Sequence, residues 1–197
     1  MTEDARSTST ALEQVLLSRK GAILAEWRCA VLATYAAETH AFLASEKDPF
    51  CNPVGHVLNQ TGDALFEIVM TGMERERAEE DLGDIVRVRA VQDFSPSRAL
   101  SFVDAMRKAI RHEALPMVVE ETGFRHLLCI ESRLDEAMLV AVDLYVACKK
   151  RIDDIRVKEA KAEKERLLKL IRAMGGASEL GDSGTPGRRD MTEGTHS

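Results

Sequence analysis

Hydrophobic residues recur along this chain mainly at helical spacings. Near the start they form one stripe with steps of three or four residues and their sums, consisting of Leu12, Leu16, Ile23, Trp27 and Val31. Such steps return to one face of an α-helix and predict a long amphipathic helix. Trp27, the only tryptophan, lies on this stripe, so we expect it to anchor the core.

Two proline pairs mark the starts of further helices. Asn52-Pro53 and Ser95-Pro96 each place a capping side chain directly before a proline. The capping oxygen accepts from free backbone N–H groups, and proline at the first helical position has no N–H to leave unpaired. The apolar stripe after Pro53 predicts a helix that ends near Gly72.

The longest helical pattern begins near Phe124 and reaches about Met174. Its apolar positions alternate steps of four and three, the heptad pattern of helices that pack along a seam. The seam consists of Leu134, Met138, Ala141, Tyr145, Cys148, Ile152 and Ile155. A second apolar face formed by Leu139, Val142 and Val146 predicts that the first half of this helix is buried in the domain.

The second half of the long helix has only one apolar stripe, and we expect it to project from the domain. An apolar stripe that a monomer leaves exposed is typical of a protein interface. The sequence therefore predicts a homodimer through the C-terminal helix, with Tyr145, Cys148, Ile152 and Ile155 as its candidate seam.

These patterns predict an all-α chain without strands. We expect a single helical domain, either globin-like or a multi-helix bundle, with a long projecting C-terminal helix. The predicted bounds are a disordered start at 1–9, the domain at 10–151, a charged helix at 152–174 and a disordered tail at 175–197.

The charge balance argues against a nucleic-acid binder. The 197 residues include 27 Lys and Arg against 33 Asp and Glu, which gives a net charge of −6, whereas nucleic-acid binding calls for a basic surface. Residues 149–172 are locally basic, with ten Lys and Arg against five acids. The interspersed acids indicate a solvated, salt-bridged face rather than a surface for DNA or anionic lipid.

The sequence predicts a cytoplasmic protein without a membrane span. Its longest apolar stretch, residues 137–148, is too short to cross a bilayer, and the polar N-terminus does not resemble a secretory signal. The cysteines form no Cys-x-x-Cys pair, and we interpret them as free, buried thiols; they are Cys29, Cys51, Cys129 and Cys148.

No motif in the chain indicates catalysis, a metal site or a cofactor. His-x-x-x-His pairs, a P-loop and a nucleophile beside a base are all missing from the sequence, so we expect a non-enzymatic protein. Haem is disfavoured because aromatic residues are only 5% of the chain. His56 and His112 are placed to point away from the apolar stripes, and His126 is the best of a poor set of axial ligands.

A pair of charged residues on a middle helix has two possible roles. Arg89 and Asp93 extend the stripe of Leu82 and Val86, and an aspartate near a helix C-terminus opposes the helix dipole. Arg89 either serves a ligand or partner site, or forms an ion pair with Asp93 that holds the turn before Ser95. The candidate ligand or partner site is bounded by Trp27, Tyr35, Arg89 and Asp93.

Three segments carry a resemblance to a known family: LLSRKGAILAEWRCAVLATY at 16–35, EKDPFCNPVGHVLNQTGDALFEIVM at 46–70 and DIVRVRAVQDFSPSRALSFVDAMRKAIRHE at 84–113. With them, the stretch 12–151 resembles the N-terminal domain of the RsbT co-antagonist RsbRD, a stressosome-type sensor domain of bacterial stress signalling. These segments are cap-and-turn motifs, so they indicate fold more than activity.

The resemblance implies a helical domain, globin-like in related proteins but usually without haem. In that family the domain precedes a STAS domain, which docks with a switch kinase and is phosphorylated, and we find no such domain after the long helix. The resemblance therefore implies a stand-alone regulatory sensor or adaptor that acts through an unknown protein partner. Alternatives are a small-ligand or redox sensor and an accessory protein of an anaerobic respiratory redox complex.

Overall fold

The computed structural model describes residues 3–37, 39, 43, 48, 51–72 and 74–179, and within them it is helical without strands, as predicted. A 3₁₀ turn, Leu115–Met117, joins the last two helices. Among the described residues, the six helices are α1 Glu3–Ser18, α2 Lys20–Leu32, α3 Pro53–Thr71, α4 Arg75–Val91, α5 Pro96–Ala114 and α6 Glu121–Glu179. None of these described helices is long and apolar enough to cross a membrane.

The chain divides into two compact units, Met1–Ile152 and Asp153–Ser197. This division lies one residue from the predicted boundary at 151/152, and projection of the charged helix stays a prediction. The termini differ from expectation, because α1 begins at Glu3 and α6 continues to Glu179. The rest of the predicted tail, 180–197, lies outside the described residues.

The long N-terminal helix of the prediction is two helices, α1 and α2, which meet at Arg19. Ser18 ends α1, and its hydroxyl donates to the Val15 carbonyl at 2.7 Å. Such a bond back to the preceding turn bends helices, and a glycine two residues after the break further weakens helical continuity. A stripe of apolar residues cannot reveal this break because the stripe continues through it.

The caps around α3 follow the predicted pattern. The Asn52 side-chain oxygen accepts from the backbone N–H of Gly55 at 2.7 Å, and Pro53 is the first helical residue. Gly72 ends the helix with φ at 93°, a conformation that favours glycine. Pro96 likewise opens α5, but Ser95 makes no side-chain capping bond, so that part of the prediction is wrong.

Trp27 anchors the core, as predicted. The side chain is 1% exposed, and its indole Nε1 donates to the Phe102 carbonyl of α5 at 2.8 Å. Gly62 of α3 lies against the ring, since a Cβ at this position would stand 2.7 Å from Cζ3. The three helices α2, α3 and α5 therefore meet around one fixed indole.

Within the first unit, helix α6 buries one face. Leu134, Ala141 and Tyr145 are buried along the predicted seam. The second apolar face is exposed rather than buried, with Leu139 at 64% and Val146 at 60%. On a regular helix this face lies about 100° or more around the helix axis from the seam, so the elements packed on the seam leave it uncovered.

Ion pairs fasten α6 to the preceding helices. Arg107 and Arg111 of α5 pair with Asp135 and Glu131 of α6. Hydrogen bonding to Arg111 lowers the pKa of Glu131 from its ordinary value. These pairs fix the side of α6 that faces the core.

The cysteines differ from the prediction of buried thiols. All four are free, but three are exposed and Cys148 is half-buried. Small, weakly polar thiols are tolerated at either location, so sequence composition alone does not distinguish them.

Replacing Gly62 with Ala should lower the free energy of unfolding by about 1–2 kcal/mol, because the added methyl group overlaps the fixed Trp27 ring. Denaturant unfolding measures this. The matched control is Gly83→Ala in α4, where a Cβ meets nothing within 4 Å, and which should be neutral or stabilising. Equal effects of the two substitutions would contradict the packing described for Trp27.

Replacing Glu131 with Gln should lower stability at neutral pH by roughly 0.5–1 kcal/mol. Because the folded-state pKa of Glu131 is depressed, its stabilisation is present above the unfolded pKa and is lost as pH falls through the folded pKa. The difference from wild type should therefore shrink in acid, as measured by melting temperature across pH. The exposed Glu121→Gln serves as control, and a difference that persists unchanged in acid would oppose the assignment.

Candidate functional site

The predicted site residues separate into two places. Tyr35, Arg89 and Asp93 lie near one another where α2 and α4 end and α5 begins, whereas Trp27 lies in the core between α2, α3 and α5. We name the first place the arginine junction and define it by Thr34, Tyr35, Arg89, Phe94 and Arg98.

The end of α4 shapes the junction. The Phe94 N–H donates to the Arg89 carbonyl at 3.2 Å and the Asp93 N–H donates to the Ala90 carbonyl at 3.3 Å, the two bonds of a Schellman motif. Asp93 has φ at 60°, in the left-handed region that aspartate tolerates better than most residues. This turn brings Phe94 back over Arg89.

Arg89 is fully buried and hydrogen-bonded to the protein itself. Its Nη1 donates to the carbonyl of Arg98 at 2.9 Å, with a longer bond to that of Ala99 at 3.3 Å. Its Nη2 donates to the Thr34 hydroxyl at 3.0 Å and to the Val31 carbonyl at 3.4 Å. One guanidinium thus ties the end of α2 to the start of α5.

Two aromatic rings and a second arginine enclose this guanidinium. It lies 5.4 Å from the ring centres of both Tyr35 and Phe94, whose rings are 5.3 Å apart. The guanidinium carbon of Arg98 lies 4.2 Å from the centre of the Phe94 ring. The Nε of Arg98 donates a hydrogen bond to the Thr34 carbonyl at 2.9 Å. Cation–π contacts of this kind stabilise a cation most where it is desolvated.

No described carboxylate forms a salt bridge with Arg89. Burial lowers the pKa of Arg89 from its ordinary value, while the neighbouring Tyr35 opposes that shift. Two buried polar atoms of the arginine junction, Arg89 Nε and Tyr35 Oη, have no hydrogen-bond partner among the described residues. The charge is therefore held by carbonyl and hydroxyl oxygens and by rings.

The predicted ion pair between Arg89 and Asp93 is wrong. Asp93 pairs instead with Lys149 of α6 at 2.6 Å, which compensates an acid placed against the helix dipole. One residue later, the Phe94 carbonyl accepts from the Tyr145 hydroxyl at 2.7 Å. The turn after α4 is thus one of the places where α6 is attached.

Thr34, Phe94 and Arg98 were not singled out by sequence reasoning. Phe94 had a weak signal, since it directly precedes the Ser95-Pro96 pair. Arg89 bonds mainly to backbone oxygens, and these carry no side-chain pattern. The structure commits Arg89 to holding the fold rather than to an open ligand site.

The predicted dimer seam is covered by the domain over most of its length. Tyr145 is 6% exposed, and Cys148 and Ile152 are half-buried against the core. The heptad pattern predicts that Cys148 and Ile152 are exposed in a monomer, but both continue the face that α6 buries. Ile155 is exposed, at 49%.

The described histidines lie outside the core. His56 is exposed, and the imidazole of His112 is 2.7 Å from a Glu26 carboxylate oxygen. His126 stands against Glu13 at 3.2 Å. In the part of the chain that the structure describes, no three His, Cys, Asp or Glu side chains form a group that could hold a metal ion.

Replacing Arg89 with Met should lower the free energy of unfolding by about 2–3 kcal/mol, because the hydrogen bonds to both helix ends are lost. Denaturant unfolding gives the value. Arg87→Met is the matched control on the same helix, since Arg87 is exposed and pairs only within its own helix, and it should stay within about 0.5 kcal/mol of wild type. A wild-type-like Arg89→Met would disprove the role of the junction.

Comparisons with known proteins identify the family. A search of curated proteins and a search of solved structures each gave no match. The family model described as "RsbT co-antagonist protein rsbRD N-terminal domain" matches residues 21–159, which are 139 of the 197. The match includes both the arginine junction and the core around Trp27. The chain belongs to the family of RsbT co-antagonist RsbRD N-terminal domains, which suggests a stressosome-type signalling sensor module.

Proposed function

We propose that this protein is a non-enzymatic regulatory module of bacterial signalling that acts through protein–protein contacts as a homodimer. Membership of a signalling family supports the regulatory part. The four free thiols suit a reducing compartment, and we place the module in the cytoplasm.

The observation that carries the dimer is an exposed apolar stripe on α6. Leu139, Val142 and Val146 are spaced by three and four residues, so they lie along one face of the helix. All three side chains are exposed. Leu128, eleven residues before Leu139, is 48% exposed and returns to nearly the same direction on a regular helix.

A second copy of the chain is the occupant that suits this stripe. A two-fold dimer places the same patch of each subunit against the other, so a single apolar stripe is complementary to itself. Two helices can pack side by side along such stripes, with Leu and Val inserted between one another. Burying these residues removes an apolar surface that a monomer leaves in water.

Flanking charges leave the stripe available for packing. Asp135 and Asp143, four residues to either side of Leu139, are directed to Arg107 and Arg75 of the same subunit. The carboxylates are therefore already paired when a second copy approaches. Ile155, which is exposed on the same helix, is the residue of the predicted dimer seam that is available to a partner.

The double substitution Leu139→Asp and Val146→Asp should convert the dimer to a monomer, because it places four carboxylates in the self-association interface. We expect a rise of at least about tenfold in the dimer dissociation constant. Light scattering coupled to size-exclusion chromatography, over a series of protein concentrations, measures it. Circular dichroism checks that the variant remains helical.

The control is Val119→Asp. Val119 lies outside α6 and, at 89%, is the most exposed of the large apolar side chains among the described residues. It should leave the dimer unchanged. A wild-type protein that stays monomeric at about 100 μM, or a dimer insensitive to the double substitution, would refute this interface.

A further inference from the structure

A groove between α2 and α3 lies apart from both α6 and the arginine junction. Its volume is about 340 Å³, within the range of pockets that hold small molecules. Leu24 and Ala25 supply apolar surface, and Arg28 and Asn59 supply polar groups. A few polar groups beside apolar surface are the usual composition of a ligand site.

Arg28 is the polar group with capacity to bind. Among the described residues, its guanidinium makes one hydrogen bond, a long one of 3.5 Å from Nη2 to the Leu43 carbonyl. No carboxylate among the described residues forms a salt bridge with it. Asp63, the acid lining the groove, pairs with Lys20 at 2.7 Å. The groove therefore contains a half-buried cation whose remaining N–H donors have no partner in the described part of the chain.

The inner wall of the groove is rigid. Trp27 lines it, and the bond from its indole to the Phe102 carbonyl holds the ring in place. Gly62 also lines the groove and allows the α3 backbone to approach the ring. A preformed wall reduces the ordering cost of binding.

The larger cleft, between α3 and α4, lacks this combination. Its volume is about 470 Å³, and Arg77 is the basic residue in its lining. Arg77 already pairs with Glu67 at 2.9 Å and with Asp81 at 3.6 Å. Among the described residues that line this cleft, no cation is left without a carboxylate partner to bind an anionic ligand.

We propose that the α2–α3 groove binds a small organic monocarboxylate. The ligand carboxylate accepts hydrogen bonds from the Arg28 guanidinium, a geometry in which arginine forms paired, charge-assisted bonds. Its short aliphatic part covers Leu24 and Ala25 beside the Trp27 ring. This site adds ligand sensing to the proposed regulatory role and does not depend on the dimer, because its lining residues belong to α2 and α3.

Hexanoate tests the site, with hexanamide as its neutral counterpart. Trp27 is the only tryptophan, so its fluorescence reports the groove directly, and calorimetry gives the dissociation constant of the full chain. We expect hexanoate to bind with a constant of about 1 mM or tighter, and hexanamide to bind at least about tenfold more weakly.

Arg28→Gln should weaken hexanoate binding by at least about tenfold, and the exposed Arg87→Gln should not. Ala25→Phe, which fills the groove from its apolar side, should also reduce binding and provides a second variant that leaves the cation intact. No binding of hexanoate, equal binding of hexanamide, or unchanged binding by Arg28→Gln would each overturn the proposal. The test of the dimer is independent of this one, because it measures the mass of the protein in the absence of ligand.

Discussion

The buried guanidinium of Arg89 is the constraint on which the arrangement of the helices depends. Removing a charge from water without a counter-ion is costly, and no described carboxylate forms a salt bridge with it. The oxygens around it offset part of that cost. Val31 lies in the last turn of α2 and Thr34 two residues after its end, where the helix dipole is negative and favours a cation. The bonds to Arg98 and Ala99 then fix where α5 begins relative to α2.

The same constraint contributes, with the α5–α6 ion pairs, to determining which face of α6 is free. Because the α4–α5 turn is held over Arg89, Phe94 and Asp93 present a carbonyl and a carboxylate to α6. Tyr145 and Lys149 bind them and so help to orient α6 with its heptad seam inward. Leu139 and Val146, on the other side, are consequently left to solvent. An apolar face exposed by the packing of its own helix supports the proposed dimer.

Sequence reasoning predicted what local chemistry determines. The all-α class, the Asn52 cap, the helix ending before Gly72 and the role of Trp27 as a core anchor each follow from one short pattern, and the structure confirms them. It failed for α6 because two apolar faces on one helix do not reveal which of them the neighbours cover. It failed for Arg89 because backbone carbonyls are recognisable only when the helix ends are assembled.

The core contacts connect the α2–α3 groove with the exposed side of α6. Trp27 borders the groove and is bonded to Phe102 of α5, and α5 in turn reaches α6 through Arg107 and Asp135. Contacts alone do not make a switch, because a ligand shifts an equilibrium only by its difference in affinity between two states. A carboxylate that seats beside a rigid indole would therefore influence self-association only if the dimer and the monomer hold Trp27 differently. A difference in how the two states hold Trp27 would appear first in the hydrogen bond from its Nε1 to Phe102. This bond joins the groove to α5, the helix whose arginines form ion pairs with α6.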